Sequence, residues 1–230
     1  MAERFSFYKE HPKTCAPKDY WRQVARTRDG EPVGEDQIQM IVDGVLAGLE
    51  LSAADVLLDL CCGNGALSDR IFARCNGGLG VDFSPALIEV AKRDFERPDR
   101  VYVLEDVLAF IERTPDTARF TKALCYGSFM YLPEDVAEGV LRTVGARFAG
   151  VTRLMIGNLP DRHKARQFLG PYHRPGIEDD PEAATGIWRT EEEFADLANR
   201  CGWDCSFTRQ PPGFFAAGYR YDAVLTRPLR

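Results

Sequence analysis

No stretch of this chain approaches the roughly 20 consecutive apolar residues that a bilayer-spanning helix needs, and the N-terminus MAERFSFYKEHPK lacks the apolar core of a signal peptide. No membrane partner is expected, and a cytoplasmic protein is. There is no basic excess either: 29 Lys and Arg stand against 35 Asp and Glu, a net charge of -6. The broad positive field that a phosphate backbone attracts is missing, so no nucleic-acid partner is expected. The seven cysteines (15, 61, 62, 75, 125, 201, 205) contain no CxxC pair and leave one over in any full pairing. That disfavours a zinc knuckle and a secreted disulfide framework, and the cysteines read as reduced, mostly buried thiols. Histidine is scarce, at three copies: His11, His163 and His173.

What is present is ordinary for a soluble protein, with 45 % apolar and 28 % charged residues over 230. A chain of this length buries roughly 70 to 75 % of its unfolded surface and needs no covalent staple. Residues 35–51 carry Ile38, Ile41, Val42, Val45, Leu46 and Leu49 on one helical stripe. VLLDL (56–60) then reads as a buried strand stopped by the turn CCGNG, and strand and helix alternate from there. Further strands are expected at 78–83, 101–106, 121–127 and 153–159, with helices between them; Ser84 and Pro85 supply a cap and a favoured first-turn residue. This rhythm predicts an α/β fold with a mostly parallel sheet and helices on both faces.

Two more strands, 203–208 and 220–226, have no helix between them and are expected to form an antiparallel hairpin. Thr190 and Glu193 form a capping box for the helix before them. The polar, Pro- and Gly-containing stretch 160–189 is too long for an ordinary connection and reads as a substrate lid. The whole chain, 1–230, is read as one domain, with residues 1–50 as an N-terminal cap.

In open α/β sheets a ligand lies beyond the carboxyl ends of the strands, where the first strand-to-helix turn offers free N–H groups. Here that turn is Asp59-Leu60-Cys61-Cys62-Gly63-Asn64-Gly65, and Asp82 ends the next strand, placed to accept the hydroxyls of a ribose. A nucleoside cofactor is implied. The third glycine of a dinucleotide fingerprint is replaced by Ser68, and Asp59 would repel a pyrophosphate while attracting an ammonium or sulfonium.

DLCCGNGALS followed by GVDFSPALIEVAK resembles motifs I and II of the class I methyltransferases that use S-adenosylmethionine (SAM), with Cys61 in place of the first glycine of motif I. The likeness extends over nearly the whole chain. It implies a seven-stranded Rossmann-like sheet ending in an antiparallel hairpin, and SAM as cofactor. It also implies that Asp59 and the backbone of Cys61, Gly63 and Asn64 hold the methionine part, with Gly65 allowing close passage. Asp82 would bind the ribose and Phe83 would lie on the adenine. Asp106 and the Val107 N–H would meet the adenine edge. CYGSFMYL, with Cys125 and Tyr126, would form the floor under the sulfonium, and Tyr20 and Trp21 would close over the cofactor.

Methyl transfer is an in-line displacement governed by positioning and exclusion of water. No N/D-P-P-Y follows the fourth strand, which disfavours methylation of nucleic-acid amines. The metal-dependent catechol type would want an acid in the fourth-strand motif and an Asp-Asn pair later, where GNLPD provides only Asn158 and a displaced Asp161, so no metal is expected. A small polar metabolite or sugar hydroxyl is the expected acceptor, with N-methylation of a small amine or protein, or SAM binding without catalysis, as alternatives. An alcohol acceptor would want a base, for which His163, His173 and Tyr131 are the candidates. Trp188, Tyr219 and Tyr221 are candidate pocket walls. Nothing in the sequence indicates an oligomeric state.

Overall fold

Leu57-Leu58-Asp59-Leu60 forms the central strand, with every residue buried. Leu58 and Leu60 join the core on one face of the sheet and Leu57 the core on the other, the period of two that a doubly covered strand imposes. The computed structural model describes residues 2–228, with side chains from residue 6 onward. Numbered within the main sheet, the strands are β1 (Leu57–Leu60), β2 (Gly78–Asp82), β3 (Arg100–Leu104), β4 (Lys122–Tyr126), β5 (Arg153–Pro160), β6 (Asp204–Thr208) and β7 (Arg220–Thr226). Their spatial order is β3-β2-β1-β4-β5-β7-β6. The first five are parallel, and β7 inserts antiparallel between β5 and β6. The expected α/β class and terminal hairpin are both present. The chain turns from one half of the sheet to the other between β1 and β4, the crevice where such sheets bind ligands.

The helices are α1 (Ala2–Thr14), the single turn α2 (Tyr20–Gln23), α3 (Glu35–Leu49), α4 (Ala66–Phe72), α5 (Pro85–Asp94), α6 (Val107–Arg113), α7 (Glu134–Arg147), α8 (Arg162–Leu169) and α9 (Glu191–Arg200). Apolar faces of α3, α4 and α5 cover one side of the sheet, and those of α6, α7 and α9 the other. Among the described residues no helix is long and apolar enough to cross a membrane.

The stretch 160–189 differs from its reading as a loop. It holds α8 and two 3-10 turns, Gly170–Tyr172 and Ile177–Asp179. Helix α8 escaped notice because it buries only Ala165; its start is set instead by Asp161, whose carboxylate accepts from His163 N at 3.0 Å. The stretch ends in Trp188, fully buried, whose indole N–H donates to Thr185 Oγ1 at 2.9 Å. Trp188 is thus a buried packing residue and lies outside the cavity described next.

Candidate cofactor and acceptor site

The carboxyl ends of the parallel strands open into a cavity of about 220 Å³ whose lining includes Asp59, Cys61, Gly63, Asn64, Asp82, Phe83, Asp106, Val107, Tyr126 and Tyr131. Asp59 leaves the end of β1 buried, and one of its oxygens accepts from Ser68 Oγ at 2.5 Å. Burial lifts its pKa to about 7; the neighbouring Asp82 pushes the same way, while Ser68 and Arg26 oppose it. Asp82, at the end of β2, is also buried and is lifted to about 6. Its two oxygens accept from Gly63 N at 3.0 Å and Ser84 N at 2.9 Å, which fastens the glycine turn to the second strand.

Cys61 stands at φ +67° and Gly63 at +59°, in left-handed backbone that favours glycine. A Cβ on Gly63 would lie 3.0 Å from Val24 Cγ1. Gly65 is glycine for another reason than the passage of a ligand. A Cβ there would lie 2.8 Å from the Tyr102 ring, and the residue caps α4 outside the cavity lining. Asn64 ties the N-terminal segment down, donating to Tyr20 O at 2.8 Å and Gln23 Oε1 at 2.9 Å.

That segment crosses the cavity on residues other than those expected. Tyr20 turns away to donate to Asp94 at 3.1 Å and pack on Phe95, and Trp21 sits between the guanidiniums of Arg26 and Arg70. Tyr8, Val24 and Arg26 line the cavity instead. Cys125 is buried beneath the lining, and its thiol, together with burial, pushes the neighbouring Cys61 thiol well up. Asp106 lines the cavity as the N-cap of α6: its Oδ1 accepts from Leu108 N at 3.0 Å and Ala109 N at 3.1 Å.

Neither His163 nor His173 reaches the cavity. His163 is exposed on α8, and His173 is paired with Glu178 at 2.7 Å. Among the described residues, no histidine lines this cavity or the smaller one beside it. Tyr131 lines both, and its hydroxyl donates to Ala184 O at 2.8 Å, joining the wall to the 160–189 stretch. Tyr221 is buried in the core, whereas Tyr219 lines the smaller chamber.

The smaller chamber, about 120 Å³, shares Tyr8, Val24, Arg26, Tyr126, Gly127 and Tyr131 with the larger one and continues to Asn158, Tyr219 and Arg220. Arg26 therefore stands at the junction. It carried no motif signal in ARTRDG, and Arg220 reads from sequence only as the first residue of a strand.

Residues 57–147, from β1 to the end of α7, match the family model of a methyltransferase domain. Over that segment, about two fifths of the chain, the sequence is similar to the methyltransferase domain family. Over 76 residues it is 32 % identical to an uncharacterized methyltransferase of Schizosaccharomyces pombe, covering 33 % of this chain and 27 % of that protein. Over 70 residues it is 30 % identical to a probable cobalt-precorrin-6B C(15)-methyltransferase (decarboxylating) of Methanocaldococcus jannaschii, covering 30 % of this chain and 37 % of the relative. The matches thus span about a quarter to a third of these relatives. Among solved structures, magnesium protoporphyrin IX methyltransferase of Synechocystis with bound SAH superposes with a TM-score of 0.65 at 15 % identity, covering 97 % of each chain. The DhpI-SAM-HEP complex does so with a TM-score of 0.65 at 17 % identity, covering 98 % of this chain and 96 % of that one. At these identities the superpositions establish the methyltransferase fold of the whole chain.

Proposed function

We propose that this methyltransferase binds SAM in the larger chamber and transfers the methyl group to an oxygen of a small polar molecule in the cytoplasm. One observation carries the reading: Asp59 and Arg26, opposite in charge, line the same cavity as the glycine turn and Asp82. An acid and a guanidinium together complement the zwitterionic end of an amino acid. When bound, the cofactor supplies an electrophilic methyl group.

The chain's own residues bind, orient and exclude water. Asp59 takes the ammonium and Arg26 the carboxylate, with the turn from Cys61 to Asn64 alongside. Asp82 holds ribose hydroxyls with the lone pairs not used by Gly63 and Ser84. Phe83 and the Val107 N–H face the adenine; the second oxygen of Asp106 is left for its amino group once Oδ1 has capped α6. Residues 1–50 form the cap through Tyr8, Val24 and Arg26, and 160–189 form the lid, held to the wall through Tyr131. The net charge of -6 favours a small-molecule acceptor over a nucleic acid.

The test is a thermal-shift comparison. SAM at ~100 times its Kd should raise stability by about 2.7 kcal/mol, and NAD should leave it unchanged. Stabilisation by NAD and none by SAM would refute the cofactor assignment.

A further inference from the structure

Two residues that line the smaller chamber each carry a buried polar atom without a hydrogen-bond partner among the described residues: the hydroxyl of Tyr126, a residue only 5 % exposed, and Oδ1 of Asn158. Orphaned buried groups are rare in folded proteins, because each forfeits its hydration for nothing. Asn158 also stands at φ +65°, where the pairing of β5 with β7 shifts register between Ile156 and Leu159. A bulge of this kind re-aims a side chain, at a cost in backbone strain.

Beside these atoms lies Arg220. It donates to Asn158 O at 2.5 Å and lies over the Tyr219 ring, and it has no carboxylate within 4.0 Å among the described residues. Most of its five N–H donors are therefore uncommitted to acids. The acid nearest in sequence, Asp222, is occupied by Asn158 N at 2.6 Å and Gln210 Nε2 at 3.1 Å. Arg26 at the junction likewise has no carboxylate partner within 4.0 Å among the described residues; its guanidinium lies over the rings of Trp21 and Tyr126. Asp59, across the larger chamber, is the acid that its charge meets.

We propose that the smaller chamber is the acceptor site and takes a small molecule bearing an anionic oxygen group, a carboxylate or a phosphate, held by Arg220 and the Tyr126 hydroxyl. The inference rests on the cofactor occupying the larger chamber, which commits Arg26 to the cofactor and leaves Arg220 to the acceptor. An anionic oxygen also arrives already deprotonated, consistent with chambers that no histidine lines among the described residues.

The experiment is calorimetric titration of the protein saturated with S-adenosylhomocysteine. The probes are acetate, benzoate and inorganic phosphate, each acid set against acetamide or benzamide as a neutral counterpart. The anions should bind at least tenfold more tightly than the amides, the scale of one charge-assisted hydrogen bond. The carboxylate and phosphate arms identify which anion the chamber takes. Arg220→Gln and Tyr126→Phe should each weaken the anion about tenfold and leave S-adenosylhomocysteine affinity within twofold. Tyr126→Phe removes a hydroxyl with no hydrogen-bond partner among the described residues, so it tests the chamber without disturbing the fold even where Arg220→Gln, which loses the bond to Asn158 O, unfolds. Equal binding of acids and amides, no binding of any anion, or anion affinity unchanged in folded variants would each overturn the proposal. If S-adenosylhomocysteine itself fails to bind, the cofactor reading fails separately. The same titration of the cofactor-free protein then decides the chamber, with loss of anion binding in Tyr126→Phe supporting it and no change overturning it.

Discussion

Gly63 donates its backbone N–H to Asp82 Oδ2 at 3.0 Å, so the glycine turn after the first strand is held by the acid at the end of the second. Asp82 is therefore part of the turn as well as a wall of the cavity. Asp82→Ala would leave the N–H groups of Gly63 and Ser84 without their acceptor, at about 1 to 3 kcal/mol for each that stays buried. Urea unfolding should show a loss of at least about 1 kcal/mol, and calorimetry a fall in SAM affinity. Asp82→Asn, which keeps one acceptor oxygen, should recover much of the stability and little of the affinity.

Asp59 gives the protein a pH dependence of definite sign. Its carboxyl titrates near 4 in the unfolded chain and at about 7 in the fold, raised chiefly by burial. The stability it contributes is full below pH ~4 and is lost as pH rises through 7. Asp82, at about 6, acts in the same direction. Melting of the cofactor-free protein should show Asp59→Asn gaining stability relative to wild type between pH 5 and 8, by about 1 to 3 kcal/mol at the upper end. SAM affinity should run the other way, rising from pH 6 to 8 as the carboxylate forms, and Asp59→Asn should flatten that rise. Parallel pH profiles for the two proteins would remove Asp59 from the ammonium site.

Cys61 holds a left-handed conformation, φ +67°, that costs a residue with a Cβ about 1 to 2 kcal/mol. Cys61→Gly relieves that strain and loses the thiol packed against Cys125, so its unfolding midpoint should lie close to wild type, with SAM affinity retained. Cys61→Val, β-branched at positive φ, should be destabilised by more than about 2 kcal/mol. The pair separates backbone geometry from thiol chemistry at this position.

The parallel sheet, the glycine turn and the two strand-end acids were legible because each is written locally. A four-residue apolar strand, a glycine pair and an acid at a strand end are short-range signals. Arg26, Asn158 and Arg220 were not, because they meet only in three dimensions. Arg26 comes from the N-terminal segment, Asn158 from a register shift and Arg220 from the strand inserted out of chain order between β5 and β6. Tyr20 and Trp21 were misplaced for a related reason. Both are aromatic, but the ion pair of Glu35 with Arg70 and the carboxylate of Asp94 draw them to the outside of the cap. Helix α8 was hidden because one buried alanine gives no periodicity to read.

Tyr131 and the two histidines of the 160–189 stretch are separable by kinetics. His163 is exposed, and His173, partly buried against Glu178, lies outside both chambers, so His163→Ala and His173→Ala should each keep turnover within about twofold. Tyr131→Phe breaks the bond to Ala184 O, which joins the cavity wall to the 160–189 stretch. Loss of a clamp raises KM more than it lowers kcat and frees the segment around Ala184, so proteolysis there should quicken while SAM affinity holds. A hydroxyl that accepted the acceptor's proton would act differently. Its removal would lower kcat by about 10²- to 10⁴-fold and abolish one limb of the pH profile, with proteolysis unchanged. The hydroxyl donates its proton to Ala184 O; the clamp is the expected result.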